Sequence, residues 1–165
     1  MTPEEILAEY RRQHEAGQFR GLTMLEFDRS IGKLIGRFGA KTLLDYGSGK
    51  GEAWQTLAPK MGIHVTCYDP GVPRFAVLPD RKFDGVICCD VLEHIPEEHV
   101  SGALQDIFAR AELFVWLSVC CRPAKKHFPD GTNMHVTVRP IEWWRERINE
   151  ANVTTHIPVL LRENP

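Results

Sequence analysis

The residues best placed to do chemistry lie in the run Leu43-Leu44-Asp45-Tyr46-Gly47-Ser48-Gly49-Lys50-Gly51. Three glycines at alternate positions, between a short apolar run and a helical segment, let the backbone turn sharply and come close to a ligand. The helix that follows is expected to offer its unpaired N–H groups to that ligand. A nicotinamide or flavin fingerprint needs Gly-x-Gly-x-x-Gly, with a pyrophosphate at the helix N-terminus. Here the third glycine comes one residue early, and Asp45 stands just before the turn. A carboxylate there repels a pyrophosphate but can accept hydrogen bonds from an ammonium group, directly or through water. The spacing therefore points to a ligand with an ammonium and no phosphate.

Two more acids follow in register. His64-Val65-Thr66-Cys67-Tyr68 ends in Asp69-Pro70, and Phe83-Asp84-Gly85-Val86-Ile87-Cys88-Cys89 ends in Asp90-Val91-Leu92-Glu93-His94-Ile95-Pro96. Transfer of a group from such a ligand needs a positioned nucleophile. A general base is needed as well if the nucleophile arrives protonated. His94, His127 and His135 are the candidates, with His94 and His135 preferred, because histidine titrates near neutral pH. Glu93 and His94 also read as the start of a helix opening near Pro96.

The order of these segments resembles class I S-adenosylmethionine-dependent methyltransferases over roughly residues 40 to 120. Asp-x-Gly-x-Gly-x-Gly after the first strand is similar to their motif I, and the Leu92-Glu93-His94 segment is similar to the one after their fourth strand. The resemblance implies S-adenosylmethionine as cofactor. It implies that Gly47, Ser48, Gly49 and Gly51 line the methionine and ribose portions, and that Asp45 helps hold the amino group. Asp69, with Pro70 beside it, would hold the ribose hydroxyls. Asp90, Val91 and Leu92 would wall the methionine end and the adenine. Two departures mark a short form, like those found in bacteria and their phages. Only residues 70–82 separate the second strand from the next clear one, so either Phe75-Ala76-Val77-Leu78 replaces the family's third strand or the adenine pocket is built differently. No room remains for the final hairpin partner.

The elements that must position these residues alternate in type. Thr2-Pro3-Glu4-Glu5 reads as a capped helix start running to Gly17, with Ile6, Leu7, Tyr10 and His14 on one face. A second amphipathic stretch over 28–38 carries Ile31, Leu34, Ile35 and Phe38 and stops at Gly39. Strands are expected at 42–46, 64–69, 83–90, 113–121 and 153–161. Helices are expected at 51–60 and 96–111, and another opens at Pro140. The predicted fold class is α/β, a Rossmann-like, mostly parallel sheet with helices on both faces. A single domain over 1–165 is expected: N-terminal helices to 39, a cofactor core over 40–121, and a substrate-side loop, helix and last strand over 122–165.

The irregular segment 122–139 carries Arg122, Lys125, Lys126, His127 and His135. It should overhang the acceptor, because ligands in such folds bind at the carboxyl ends of strands. Its basic residues suit a small, anionic acceptor. Trp144 reads as core, and Trp143 as packing or an acceptor contact. Cys88-Cys89 and Cys120-Cys121 end neighbouring strands, but successive strand residues point to opposite faces, so no metal site is expected from them.

Hydrophobic residues make up 43% and charged residues 25% of the 165, a globular balance, and the net charge of -2 gives no global field for nucleic acid. The motifs of amino-directed and cytosine-directed base methyltransferases are absent. The five cysteines, an odd number in apolar runs, and an acidic N-terminus without a leader are read as cytoplasmic. No membrane association is expected. A pared-down sheet leaves an edge that can pair with a second copy, so a homodimer is the oligomer considered. Two other readings are weighed: a non-catalytic S-adenosylmethionine-binding subunit or scaffold, and an RNA methyltransferase.

Overall fold

The computed structural model describes residues 1–164. Its centre is a five-stranded, wholly parallel sheet built from β1 (Thr42–Tyr46), β2 (His64–Tyr68), β3 (Phe83–Cys89), β4 (Ala111–Cys120) and β5 (Val159–Asn164), in the order β2-β1-β3-β4-β5. Helices α1 (Pro3–Glu15), α2 (Asp28–Phe38), α3 (Trp54–Met61), α4 (Glu97–Arg110) and α5 (Ile141–Ala151) surround it. Because side chains alternate along a strand, each apolar strand feeds two cores. Leu44, Val86, Val115 and Leu117 pack against α4 and α5, together with Leu104, Ile107 and Trp144. Leu43, Ile87, Phe114 and Trp116 pack against α2 and α3, together with Ile31, Ile35 and Leu57.

Local signals explain the ends of several elements. The Thr2 hydroxyl accepts from the Glu5 N–H while the Glu5 carboxylate accepts from the Thr2 N–H, a complete capping box at the start of α1. Gly39 ends α2 with a φ of 65°, a left-handed conformation that glycine adopts without strain. Asp84 ties the start of β3 to β1, accepting from the Lys41 and Thr42 N–H groups.

Two expectations are corrected, and the alternative left for residues 75–78 is decided. The last strand begins at Val159, not Val153, because Asn152 closes the turn after α5. Its side chain accepts from the Ile157 N–H and donates to the Ile157 carbonyl. The run Phe75–Leu78 forms no strand. Residues Pro73–Phe75 are one 3-10 turn whose Phe75 carbonyl accepts from the Asp69 N–H, so β2 is left as the sheet edge. The N–H groups after the glycine turn are not free, as the next subsection describes. Among the described residues no helix is long and apolar enough to cross a membrane.

Candidate functional site

A cavity of about 830 Å3 opens at the carboxyl ends of β1, β2 and β3. Tyr46, Gly47 and Gly49 line it from the turn after β1, Tyr68 and Asp69 from the end of β2, and Asp90 and Val91 from the end of β3. Helix α1 roofs it with Ile6, Tyr10 and His14, and the segment after α1 adds Phe19, Arg20 and Gly21. A third apolar cluster anchors that roof: Ile6 packs with Phe128 and Met134 of the 122–139 segment, with Tyr10 and Phe19 against it.

The glycine turn is held by the protein itself. The Gly47 and Ser48 N–H groups donate to the Tyr68 carbonyl, Gly49 to the Asp69 carboxylate, and Gly51 to the Ser48 carbonyl. Lys50, Glu52 and Ala53 donate to the carbonyls of Phe19, Arg20 and Gly21, a strap from the N-terminal segment. No N–H from Gly47 to Ala53 remains for a phosphate, so the turn cannot act as a pyrophosphate cradle. The glycines serve this close packing. A Cβ on Gly47 would strike the Val91 side chain, and one on Gly49 would lie 2.5 Å from the Phe19 carbonyl oxygen. Both have positive φ, 81° and 56°.

Of the residues expected to bind the cofactor, Gly47, Gly49, Asp69, Pro70, Asp90 and Val91 share this cavity, and His94 lines it too. Asp45, Ser48, Gly51 and Leu92 do not line it. Asp45 is buried behind the turn, where its carboxylate accepts from the Trp54 indole N–H at 2.6 Å. Burial pushes its pKa up to about 7, against the pull of the Trp54 hydrogen bond. Ser48 is buried, with its hydroxyl on the Gly49 carbonyl, and Leu92 lies fully in the core beside α4. Gly51 packs against the Cys67 thiol.

Asp69 keeps acceptor capacity free at the cavity. Its two carboxylate oxygens each accept one N–H, Oδ2 from Gly49 and Oδ1 from Gly71, both at 2.8 Å. A carboxylate has about four acceptor positions, so two remain. His14 Nε2 stands 3.7 Å from Oδ1, and burial lowers the His14 pKa while the nearby carboxylate opposes that. Asp90 sits at a φ of 52°, with its carboxylate turned toward the sheet. There Oδ1 accepts from the Ser118 hydroxyl at 2.6 Å, and Oδ2 accepts from the Asn164 amide.

The far end of the cavity gathers groups that the sequence did not connect. His94 Nδ1 lies 2.9 Å from the Met134 carbonyl and 2.7 Å from the Tyr10 hydroxyl, which itself donates to the same carbonyl. Burial, with His135 adding to it, holds His94 down to about 4, so it is neutral at physiological pH. The His94 and His135 rings meet edge to face with centroids 4.8 Å apart. His135 itself is outside the cavity lining, and His127 lies at the surface, near the Asn133 amide. Glu93 is fully buried, with Oε1 accepting from the Cys120 N–H and Oε2 without a partner; burial pushes its pKa up to about 8. Lys126 is the basic residue of the 122–139 segment that lines the cavity, its ammonium donating to Gln18. Trp143 does not line it and packs beside Trp144, flanked by Arg139 and Arg147.

Sequence reasoning missed Tyr10, His14 and the 19–21 strap. Tyr10 and His14 read only as part of the one-sided stripe of α1, and nothing local marks which surface that stripe covers.

Asp69 thus leaves two acceptor positions open, and the turn has no N–H to give a phosphate. The methyltransferase domain family matches residues 12–160. A solved structure described as the DhpI-SAH complex superimposes with a TM-score of 0.54 at 15% identity, over 90% of this chain and 86% of its own. That likeness shows the fold. No curated protein sequence matches the chain.

Proposed function

The chain belongs to the methyltransferase domain family and is an S-adenosylmethionine-dependent methyltransferase, and from that premise we propose that it methylates an oxygen, nitrogen or sulfur of a small, anionic molecule. The roof that α1 makes over the cavity carries the reading, since a roofed cleft of this volume, shared with the cofactor, suits a small acceptor better than a polymer. Lys126 supplies the cationic contact. Arg20 also lines the cavity but is already paired with Glu52 at 2.7 Å.

When bound, the cofactor supplies an electrophilic methyl carbon. The chain's own residues bind, orient and exclude water. Asp69 accepts the ribose hydroxyls at its two open positions, with Pro70 continuing that edge. The backbone at Gly47 and Gly49 faces the methionine portion, and Asp90 and Val91 form the wall beyond it. Asp45, Ser48, Gly51 and Leu92 act from behind, by holding the turn and the wall in shape. His94 and His135 stand at the acceptor end, each oriented by a backbone carbonyl. Residues 40–121 form the cofactor core of one domain, 122–164 the acceptor side, and 1–39 the N-terminal helices, of which α1 is the roof. The open edges at β2 and β5 leave pairing with a second copy available.

The test is transfer of a labelled methyl group from S-adenosylmethionine to panels of carboxylates, phosphate esters, phenols, amines, thiols and RNA. Label on a small anion, with a KM raised about tenfold or more in Lys126→Ala, supports the reading, as loss of a charged hydrogen bond is worth about 1.5–3 kcal/mol. Transfer to RNA alone, or only to cationic molecules, overturns it.

A further inference from the structure

We propose that Glu93, His94 and His135 form a binding site for one divalent transition-metal cation at the acceptor end of the cavity. One nitrogen from each histidine and one oxygen of Glu93 all lie within 4.8 Å of one another. Ligand atoms around a zinc ion sit about 2.0–2.2 Å from it, so the three side chains contract slightly on loading.

The hydrogen bonds already fix the tautomers such a site needs. A carbonyl oxygen can only accept, and with the Tyr10 hydroxyl donating to the Met134 carbonyl, His94 Nδ1 is the remaining donor to that carbonyl and to the Tyr10 oxygen. The Arg122 carbonyl likewise accepts from His135 Nδ1, at 2.5 Å. Each ring therefore presents Nε2 with its lone pair exposed. An imidazole whose second nitrogen donates to a backbone carbonyl is the usual arrangement of a metal-bound histidine. Asn133 in turn presents His135. Its amide oxygen accepts from the Ala124 and His135 N–H groups while its NH2 donates to the Ala124 carbonyl. This clamps the segment into the bend that brings His135 against His94.

The second, independent observation is Glu93. Its side chain is fully buried, Oε1 is taken by the Cys120 N–H, and Oε2 has no hydrogen-bond partner. A buried carboxyl oxygen without a partner is costly, because it has given up water and gained no hydrogen bond in return. A cation held jointly with two imidazoles removes that cost. Two histidines and one carboxylate form a three-ligand set that leaves coordination positions open, as in catalytic rather than structural zinc sites. Because His94 lines the cavity, an open position there can take an oxygen of the acceptor.

This site stands on its own geometry and does not depend on the acceptor assigned above. The full chain, stripped of metal with a chelator, is titrated with Zn2+ by calorimetry and with Co2+ by visible absorption. Wild type, Glu93→Gln and His135→Ala are compared. His135 is only partly buried, so its variant should fold, and S-adenosylhomocysteine binding to each preparation reports that separately. One equivalent of tight binding with cobalt d–d bands is expected in wild type. Affinity should fall at least about 10- to 100-fold in both variants, the range that even outer partners of metal ligands command. Absence of saturable binding overturns the proposal. So does binding that His135→Ala leaves unchanged, which would place the ion elsewhere.

Discussion

Asp69 and Asp45 are both acids at strand ends, yet their surroundings give them different work. Asp69 faces the cavity with two open acceptor positions. In the proposed binding mode, alanine in its place would remove two charge-assisted hydrogen bonds to the ribose, and it frees the Gly49 and Gly71 N–H groups. Calorimetric titration of S-adenosylhomocysteine into Asp69→Ala should therefore show affinity reduced about 100-fold or more, at about 1.5–3 kcal/mol per such bond. Unchanged affinity would remove Asp69 from the cofactor site. Asp45 is buried on the indole of Trp54, and its pKa is raised from 3.8 to about 7. Between those values the folded state holds a proton that the unfolded chain has lost, so stability falls as pH rises from about 4 to 7. Asp45→Asn stays neutral and can keep accepting from Trp54. Its Tm relative to wild type should rise by several degrees over that window, since 1 kcal/mol moves Tm by about 2–4 °C at this size. A pH-independent difference would mean that Asp45 is ionised in the fold. The motif made both acids visible in the sequence, but not the direction each carboxylate takes. Rotamer and burial are set by Trp54, Gly49 and Gly71 arriving from elsewhere.

At the scale of elements, the 19–21 strap decides the shape of the glycine turn. Gly21 has a φ of 74°, and a Cβ there would strike the Ser48 carbonyl oxygen and lie 2.7 Å from the Gly51 nitrogen. Gly17 has a φ of 85° but nothing within 4 Å of such a Cβ. Both alanine variants carry backbone strain of about 1–3 kcal/mol, but only Gly21→Ala also pushes the strap off the turn. Urea denaturation should show a larger loss of stability for Gly21→Ala than for Gly17→Ala. Cofactor binding should weaken in Gly21→Ala alone; equal effects would deny the strap its part. Helices α1, α2, α4 and α5 and the first four strands were legible because their apolar spacing is local. The strap was not. Its residues have no periodicity, and its hydrogen bonds reach some 30 positions along the chain. The start of β5 was misplaced because Val153 to Thr155 look β-prone, while the Asn152 side chain holds them in a turn.

For the whole molecule, a sheet buried on both faces supplies a rigid floor, and α1 with the 122–139 segment supplies the cover. Ligand bound between floor and cover stabilises the folded chain alone. S-adenosylhomocysteine at about 100 times its Kd should add about 2.7 kcal/mol. That corresponds to a Tm about 5–10 °C higher at this size. The shift should be much reduced in Asp69→Ala, and a shift of the same size in both proteins would put the ligand elsewhere.

What the sequence determined by itself was the class of the fold and the strand ends at which the cavity opens. Continuous apolar strands alternate with amphipathic helices, and acids fall where parallel strands end; these signals are local and repeat along the chain. Only the tertiary structure decided which polar groups meet. It turned Asp45 into the interior, saturated the N–H groups of the glycine turn, and set His14 beside Asp69. It also brought Tyr10, Glu93, His94 and His135 to one end of the cavity. Those contacts join residues tens of positions apart through packing that no local spacing encodes, and burial and hydrogen bonding there set what each side chain can do.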